Sequence, residues 1–258
     1  TQDFTLMHDL AIAIRQDKGL WLAYQPKICL HSGKPIGLEA LIRWQHPQRG
    51  ELSPAQFLPL AVQTELLSEL TTWVTEHAIA RLSRLRNSYI QLPITINVSS
   101  SDFSRDGFAD ELEEQMIRAK LPVSLLGIEC LENELITKTN VAISGLEALK
   151  SHGFVISLDD FGTGYSNISY LQDIPLDVIK IDRSLISRMG EDDASKIIVR
   201  CIIQMLKELN YTVLAEGVET EATLTLLKTY GCDQIQGYFF SKPLPASDIE
   251  HWLYQKSH

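Results

Sequence analysis

The fold is decided by the stretch Ile156-Ser157-Leu158-Asp159-Asp160-Phe161-Gly162-Thr163-Gly164-Tyr165-Ser166. The apolar run Phe154–Leu158, which contains β-branched valine and isoleucine, predicts a buried strand. The strand runs into two adjacent carboxylates and then into a loop with two glycines. Two unit charges about 4 Å apart repel by roughly 4 kcal/mol at an effective dielectric of about 20. The aspartate pair therefore requires a cation, a shared proton or open solvent.

The segments on either side of this stretch alternate between strand patterns and helix patterns. Strands are predicted over Trp21–Leu30, Ile36–Arg43, Ile94–Val98, Leu126–Cys130, Phe154–Leu158, Val178–Ile181, Thr212–Ala215 and Gln234–Phe240. Helices are predicted over residues 3–18, Pro54–Thr64, Leu66–Arg86, Phe108–Lys120, Val141–Ser151, Ser166–Gln172, Ala194–Leu209, Glu221–Tyr230 and Ser247–Gln255. Alternating strands and helices require a mostly parallel sheet with covered faces. A chain of 258 residues with this alternation predicts an α/β fold, a (β/α)8 barrel.

The first two predicted strands are joined only by the turn His31-Ser32-Gly33-Lys34-Pro35. A turn of this length cannot form the crossover that parallel strands need, so we expect the first strand to run antiparallel. An open, doubly wound sheet is the alternative architecture. That fold carries a third glycine in its phosphate-binding turn, but Asn167 stands at that place after Gly162 and Gly164. The barrel is therefore favoured.

The composition narrows the class of ligand and the compartment. The net charge of -10 argues against binding of DNA, RNA or an anionic membrane through a basic face. The chain has four cysteines, and they are far apart, which is typical of reduced, intracellular proteins. No apolar run approaches the roughly 20 residues of a membrane span. We therefore expect a cytoplasmic protein, or the cytoplasmic domain of a membrane-anchored sensor.

Polar residues recur at the carboxyl ends of the predicted strands, where barrels of this kind place their active sites. They are Glu39, Arg43, Asn97, Glu129, Asp159, Asp160, Lys180, Asp182, Glu216, Glu219 and Gln236. Any one of these side chains could simply face water or cap the next helix. Consecutive strands that each deliver such a group to one rim instead indicate a common site.

The residue types at this rim indicate a hard divalent cation. No histidine lies at the end of a predicted strand and no cysteine pair is available, which argues against zinc. Carboxylates and an amide oxygen suit Mg²⁺ or Mn²⁺. Several carboxylates around one cavity would be neutralised better by two ions than by one. Two such ions activate water and stabilise the leaving oxygen in phosphoester hydrolysis.

Over nearly its whole length the chain resembles the EAL domain family of cyclic di-GMP phosphodiesterases, named for Glu39-Ala40-Leu41. The matching motifs are Tyr24-Gln25-Pro26, Glu39-Ala40-Leu41-Ile42-Arg43-Trp44, Asn97-Val98-Ser99, Asp159-Asp160-Phe161-Gly162-Thr163-Gly164-Tyr165-Ser166, Lys180-Ile181-Asp182, Ala215-Glu216-Gly217-Val218-Glu219 and Gln236-Gly237-Tyr238. The resemblance implies a barrel with an antiparallel first strand. It also implies hydrolysis of cyclic di-GMP, a bacterial second messenger, to linear pGpG with Mg²⁺ or Mn²⁺.

The resemblance also implies roles for individual residues. One metal ion would be held by Glu39, Asn97, Glu129 and Asp159. A second would be held by Asp159, Asp160 and Glu216. The implied catalytic residues are Lys180, which would hydrogen-bond the attacking water, Glu216, and Glu132, which would steady the loop after Phe161. The implied substrate contacts are Gln25, Arg43, Gln236 and Glu219.

Departures from the usual family pattern and the wider context give further expectations. Leu131 and Asn133 stand where small hydroxyl residues are usual, and Asn167 where a second serine is common; none of these departures removes a metal ligand, and slow turnover would be consistent with them. We expect residues 1–258 to form a single EAL-type domain within a longer regulatory protein, fused to a sensory or cyclase domain. The loop after the strand Phe154–Leu158 should mediate a homodimer.

Three hypotheses for function therefore remain at the level of the sequence. The first is a two-metal cyclic di-GMP phosphodiesterase, and the second is a receptor or scaffold that binds without cleaving. The third sets the resemblance aside and makes Lys180 the Schiff-base lysine of an aldolase, or the carboxylates part of an enolase-type lyase. Elsewhere, the apolar residues Ile197, Ile198, Cys201, Ile202, Met205 and Leu209 are expected to form a core-facing helix stripe.

Overall fold

The computed structural model describes residues 2–62, 64–136, 140–164 and 168–256. Within them, nine strands form one sheet. The strands are β1 (Leu20–Cys29), β2 (Pro35–His46), β3 (Gly50–Leu52), β4 (Ile94–Asn97), β5 (Leu126–Leu131), β6 (Val155–Phe161), β7 (Val178–Ile181), β8 (Thr212–Glu216) and β9 (Gln234–Gln236).

Helices follow most of these strands. The helices are α1 (Gln2–Gln16), α2 (Pro54–Ala61), α3 (Leu66–Asn87), α4 (Ser100–Phe103), α5 (Phe108–Arg118), α6 (Glu132–Ile136), α7 (Asn140–Ser151), α8 (Arg183–Arg188), α9 (Asp193–Glu208), α10 (Glu221–Thr229) and α11 (Ala246–Lys256). Short 3-10 helices span Val123–Leu125 and Ile168–Gln172. None of the described helices is both long and apolar enough to span a membrane.

The sheet closes on itself through the pairing of β1 with β2. Around the barrel the order is β1, β2, β4, β5, β6, β7, β8 and β9, and β3 adds a short hairpin strand outside β2. β1 is antiparallel to both of its neighbours, whereas β2 and β4 to β9 run parallel. The predicted barrel with an antiparallel first strand is therefore confirmed.

Side-chain caps fix the points where strands turn into helices. Asp182 follows β7, and its carboxylate accepts a hydrogen bond from the backbone N–H of Ser184 in the first turn of α8. Thr220 caps α10 in the same way through the N–H of Thr223. Each cap satisfies a backbone donor that the first turn of a helix leaves without a partner. The strand ends, and the side chains they carry, are therefore held in defined positions.

Some predicted boundaries are wrong. β9 ends at Gln236 rather than Phe240, because the chain turns at Gly237, where a Cβ would lie 2.3 Å from the backbone oxygen of Val218. No strand was predicted between Arg43 and Pro54, but β2 extends to His46 and β3 follows at Gly50–Leu52. Of the predicted helix Ser166–Gln172, residues 166 and 167 lie outside the described residues, as does the departure at Asn167, and the remainder is a 3-10 helix.

The predicted core stripe on α9 is also partly wrong. Ile197 and Ile198 are about half exposed, at 52% and 50%. The helix instead buries Val199, Ile203 and Leu206, which share one face at helical spacing. Ile202 and Met205 of the predicted stripe are partly buried against the core, so the prediction overlaps the packing face of the helix but does not coincide with it.

Candidate active site

Side chains at alternate strand positions point into one space at the carboxyl ends of the parallel strands. In the register of the sheet, Asn97 lies beside Glu129, and Glu216 lies beside Gln236. β1 runs in the opposite direction and places Gln25 opposite Glu39. Residues from distant parts of the chain therefore meet at one end of the barrel.

A bulge in β6 brings both aspartates into this space. Adjacent residues of a regular strand point to opposite faces. The pairing of β6 with β7 shifts register between Leu158 and Phe161, and Asp160 has a left-handed backbone φ of 59°. Bulges of this kind redirect side chains. Carboxylate oxygens of Asp159, Asp160 and Glu216 consequently lie within 4.8 Å of one another.

Lys180, on β7, lies at the centre of the site and is completely buried. Its Nζ lies 2.8 Å from Glu216 Oε1 and 3.2 Å from Glu39 Oε2. The same ammonium lies 3.3 Å from Asp159 Oδ1 and donates a hydrogen bond to Glu129 Oε1. One lysine thus binds carboxylates from four different strands.

Amide side chains hold Glu39 in place. Gln236 Nε2 donates to Glu39 Oε2 at 2.7 Å and to Gln25 Oε1 at 2.9 Å. Asn97 Nδ2 donates to Glu39 Oε1 at 3.0 Å. Gln236 Oε1 is buried and has no hydrogen-bond partner among the residues that the structure describes. A buried acceptor of this kind indicates that the site receives a further donor or cation.

Lys180 and Glu39 are the firmly charged members of the site. Burial opposes the charge on Lys180, but the surrounding carboxylates, Glu129 first, raise its pKa well above the ordinary value. Burial also opposes the charge on Glu39, but the nearby ammonium groups of Lys180 and Lys27 lower its pKa to about 2. The two side chains therefore form a charged pair across the physiological pH range.

The other carboxylates are shifted in the opposite direction. Burial, reinforced by the charge of Glu39, raises the pKa of Glu129 to about 8. Burial raises the pKa of Asp159 to about 6, against the opposing effect of Lys180. Burial also raises the pKa values of Asp160 and Glu216. The site holds more carboxylates than the ammonium groups of Lys180 and Lys27 can balance, which is the electrostatic condition for binding further cations.

The geometry of the oxygens fits divalent ions. Two groups of three carboxylates have ligand atoms that all lie within 4.8 Å of one another. One group is Glu39, Glu129 and Asp159, and the other is Asp159, Asp160 and Glu216. Asp159 belongs to both groups. An oxygen-only donor set of this kind suits Mg²⁺ or Mn²⁺.

Glu132 lies outside the carboxylate cluster and contacts the loop after β6. Its buried carboxylate accepts hydrogen bonds from the backbone N–H of Gly162 at 3.0 Å and from the hydroxyl of Tyr170 at 2.7 Å. Gly162 lies two residues after Asp160, with Phe161 between them. Glu132 therefore fixes the start of the loop rather than the reacting groups. Tyr170, which the sequence analysis missed, positions Glu132 in turn.

The predicted substrate residues Arg43 and Glu219 lie at the edge of the site. Arg43 is half-buried on the same face of β2 as Glu39, and its guanidinium donates to the backbone oxygen of Ile42. Glu219 is exposed in the loop after β8. Among the described residues, neither side chain forms a hydrogen bond or ion pair with the carboxylate cluster. Their roles stay predictions.

The sequence analysis also missed Lys27 on β1. Its Nζ donates to Thr95 Oγ1 at 3.0 Å and to Glu129 Oε2 at 3.4 Å, and the lysine is only 7% exposed. The sequence feature that could have identified it is its place inside the predicted strand Trp21–Leu30, two residues after Gln25. Period-two alternation places both side chains inside the barrel.

Comparisons with known proteins agree on the family. The model of the EAL domain matches residues 7–243. The cyclic di-GMP phosphodiesterase PA2567 of Pseudomonas aeruginosa is 40% identical over 250 residues, which cover 97% of this chain and 43% of that protein. The bifunctional diguanylate cyclase/cyclic di-GMP phosphodiesterase MucR of the same species is 37% identical and covers 96% of this chain and 36% of its own length. The chain thus spans less than half the length of these relatives.

Solved structures of EAL domains share the fold. The cyclic di-GMP complex of the PaMucR phosphodiesterase has a TM-score of 0.88 at 37% identity, covering 95% of this chain and 99% of that one. The EAL enzyme Bd1971, in its form bound to cAMP and cyclic di-GMP, has a TM-score of 0.90 at 30% identity, covering 98% of this chain and 69% of that one. The family model, the sequence identity to these relatives and the shared barrel fold all agree, and the chain belongs to the EAL domain family.

Proposed function

We propose that this chain is a metal-dependent phosphodiesterase that hydrolyses cyclic di-GMP to linear pGpG. The observation that carries the proposal is the convergence of carboxylates from separate strands on the buried ammonium of Lys180. Relatives that are 37–40% identical are named as cyclic di-GMP phosphodiesterases. The complete set of carboxylates favours cleavage over a receptor that only binds.

The carboxylate groups divide into two ion sites in this proposal. Glu39, Asn97, Glu129 and Asp159 would hold one Mg²⁺ or Mn²⁺, and Asp159, Asp160 and Glu216 would hold the other. Bound there, the two ions would supply Lewis acidity for water activation and for stabilising the leaving oxygen. Asn97 fits this role because its amide nitrogen donates to Glu39, which leaves its oxygen as the ligand atom.

Lys180 acts in this proposal as a fixed hydrogen-bond donor. Although burial opposes its charge, the carboxylates raise its pKa well above the ordinary value in the absence of divalent ions, so Lys180 carries a proton that it can donate in a hydrogen bond. An ammonium can orient the attacking water through one hydrogen bond and stabilise negative charge as it develops. The same charge argues against an aldolase, because a Schiff-base lysine must be neutral to attack a carbonyl.

The proposed substrate contacts are side chains around the opening of the site. Gln25 and Gln236 lie beside Glu39, and the free acceptor Gln236 Oε1 suits a donor on the nucleotide. Arg43 would bind a phosphate oxygen, for which a planar guanidinium is well shaped. Glu219 would contact the substrate from the loop after β8. Glu132 would act on catalysis indirectly, through the loop that begins with Gly162.

A direct assay tests the proposal. Purified protein is incubated with cyclic di-GMP and Mn²⁺ or Mg²⁺, and products are separated by chromatography. We expect pGpG from the wild type, no product with chelator, and a loss of at least about 10²-fold in Glu39→Gln, which keeps the shape but removes the charge. Binding of the nucleotide without any pGpG would identify a receptor. Substantial turnover by Glu39→Gln would reject the metal assignment.

Two further proposals concern the longer protein and its oligomeric state. We propose that the chain is the EAL part of a longer cytoplasmic protein, fused to a sensory or cyclase domain as the name of MucR indicates for that relative. We also propose a homodimer through the loop after β6. An exposed apolar residue supports a contact between copies there: Ile168, which follows this loop, is 42% exposed. Sedimentation analysis of wild type and Ile168→Glu would test it; a monomeric wild type would reject the dimer.

A further inference from the structure

A second buried lysine lies beneath the carboxylate cluster. Lys27 pairs in register with Gly37, two residues before Glu39, so its side chain enters the barrel one layer below the cluster. The interior of barrels of this kind is usually filled with branched apolar side chains. An ammonium at this position therefore needs an explanation.

The contacts of Lys27 fix one oxygen of Glu129. Glu129 is completely buried, and its Oε2 lies 3.4 Å from Lys27 Nζ. Its other oxygen, Oε1, accepts from Lys180. Thr95 Oγ1 anchors the ammonium of Lys27 from the side at 3.0 Å. Glu129 is therefore held between two cations that each occupy a different oxygen.

Fold stability alone does not explain this arrangement. A buried ion pair is often no more stabilising than well-packed apolar residues of the same volume, because both charges lose their hydration. An apolar side chain in place of Lys27 would fill the same volume, but Glu129 Oε2 would lose its contact with an ammonium group. The charge is better explained by what it does to the site above it.

The balance of charge suggests that role. In the proposed active site, the charges of Glu39, Glu129, Asp159, Asp160 and Glu216 would be opposed by Lys180 and two divalent ions, and Asp182 adds a further carboxylate beside Asp160. Lys27 supplies one more positive charge against Glu129. With this charge the site attracts an anionic phosphodiester more strongly, and binds divalent ions less tightly, than it would without it.

We propose, resting on the phosphodiesterase function above, that Lys27 is a positioning residue that keeps Glu129 a one-oxygen ligand and weakens ion binding in favour of the anionic substrate. Contact of Lys27 with Oε2 leaves Oε1, which also accepts from Lys180, as the oxygen that would bind a divalent ion. The charge of Lys27 offsets part of the carboxylate charge from below. Lys27 itself touches neither substrate nor reacting atoms in this scheme.

Mn²⁺ binding without nucleotide separates this role from a structural one. Mn²⁺ is titrated into wild type, Lys27→Met and Lys34→Met, and the free ion is measured by electron paramagnetic resonance. Lys34 is an exposed lysine next to β2 and serves as the control. We expect Lys27→Met to bind Mn²⁺ about tenfold more tightly while its kcat/KM falls at least about tenfold. Lys34→Met should match the wild type. A purely structural lysine would instead weaken ion binding and turnover together.

Two further variants keep the test decisive. Lys27→Gln retains a hydrogen-bond donor without charge and should also tighten Mn²⁺ binding, whereas Thr95→Val keeps the charge and should leave Mn²⁺ affinity within about twofold. Equal or weaker Mn²⁺ binding by folded Lys27→Met overturns the inference and leaves the phosphodiesterase intact. A wild type that binds no Mn²⁺ overturns both. Failure of both Lys27 variants to fold would show that stability explains the lysine, and would also overturn the inference.

Discussion

Alternate residues of the same barrel strands face two very different environments. The residues that face the helices are apolar and completely buried: Ile96, Ile128, Ile156, Ile179, Val213 and Ile235. Residues of the same strands that point into the carboxyl end of the barrel are charged or polar: Asn97, Glu129, Asp159, Lys180, Glu216 and Gln236. The outward face supplies the hydrophobic free energy of folding. The inward face brings carboxylates together, and among the described residues only two lysines act as their counterions. The unfavourable electrostatic free energy of this face is offset by the hydrophobic free energy of the outward face.

The largest effect is expected at the centre of the inward face. Lys180→Met would leave buried carboxylates without their shared ammonium, which costs about 3–5 kcal/mol in the free energy of unfolding. Turnover should fall by at least about 10²-fold, because the water loses its hydrogen-bond donor. Thermal unfolding with and without Mn²⁺ measures the first effect, and the pGpG assay the second. Added Mn²⁺ should restore stability but not turnover; restored turnover would mean that the ammonium only balances charge.

A substitution on the outward face of the same region should have the opposite profile. Ile156→Ala removes a completely buried side chain three residues before Asp159 and should lower the free energy of unfolding by about 2–5 kcal/mol. Because the site residues are untouched, turnover at 20 °C should stay within about threefold of the wild type. Urea denaturation and initial rates give the two values. A folded Ile156→Ala protein without activity would show that the two faces are not independent.

The smallest effect is a difference in thiol reactivity. Burial raises the pKa of the Cys130 thiol above its usual range and that of Cys232 to about 12, so both stay protonated and unreactive near pH 8. Cys201 is exposed on α9, and a hydrogen bond from Ser32 lowers the pKa of the partly exposed Cys29. Iodoacetamide at pH 8, followed by mass spectrometry, should modify Cys201 and Cys29. Early modification of Cys130 would contradict the packing of the outward face.

The difference between the inward and outward faces of the strands was largely predictable, because it depends on residues that are adjacent in the sequence. The alternation of Ile128 with Glu129, and of Ile179 with Lys180, is written in the order of the residues and predicts which face each side chain takes. The strand–helix alternation predicted the barrel in the same way. The short loop before Ile36 predicted the antiparallel first strand, because loop length limits strand direction.

The geometry of the site was less accessible. Two adjacent aspartates can reach one cavity only through the bulge at Asp160, and nothing in the run of residues forces the chain into that left-handed conformation. Lys27 passed unnoticed because its partner Glu129 lies 102 positions away along the chain. The packing side of α9 was misassigned because apolar residues surround the helix. The bulge at Asp160, the contact of Lys27 with Glu129 and the packing side of α9 all depend on the side chains of neighbouring elements.

Residue order alone therefore determined the class of fold, the positions of the eight barrel strands, and the kinds of ligand atoms at their ends. These properties follow from periodicity and chemical type, which act over a few neighbouring residues. Closure of the barrel decided which carboxylate meets which lysine, which oxygen each ammonium takes, and where β6 bulges. Those outcomes depend on contacts between segments that are distant in the chain, since only packing brings their atoms within hydrogen-bonding distance.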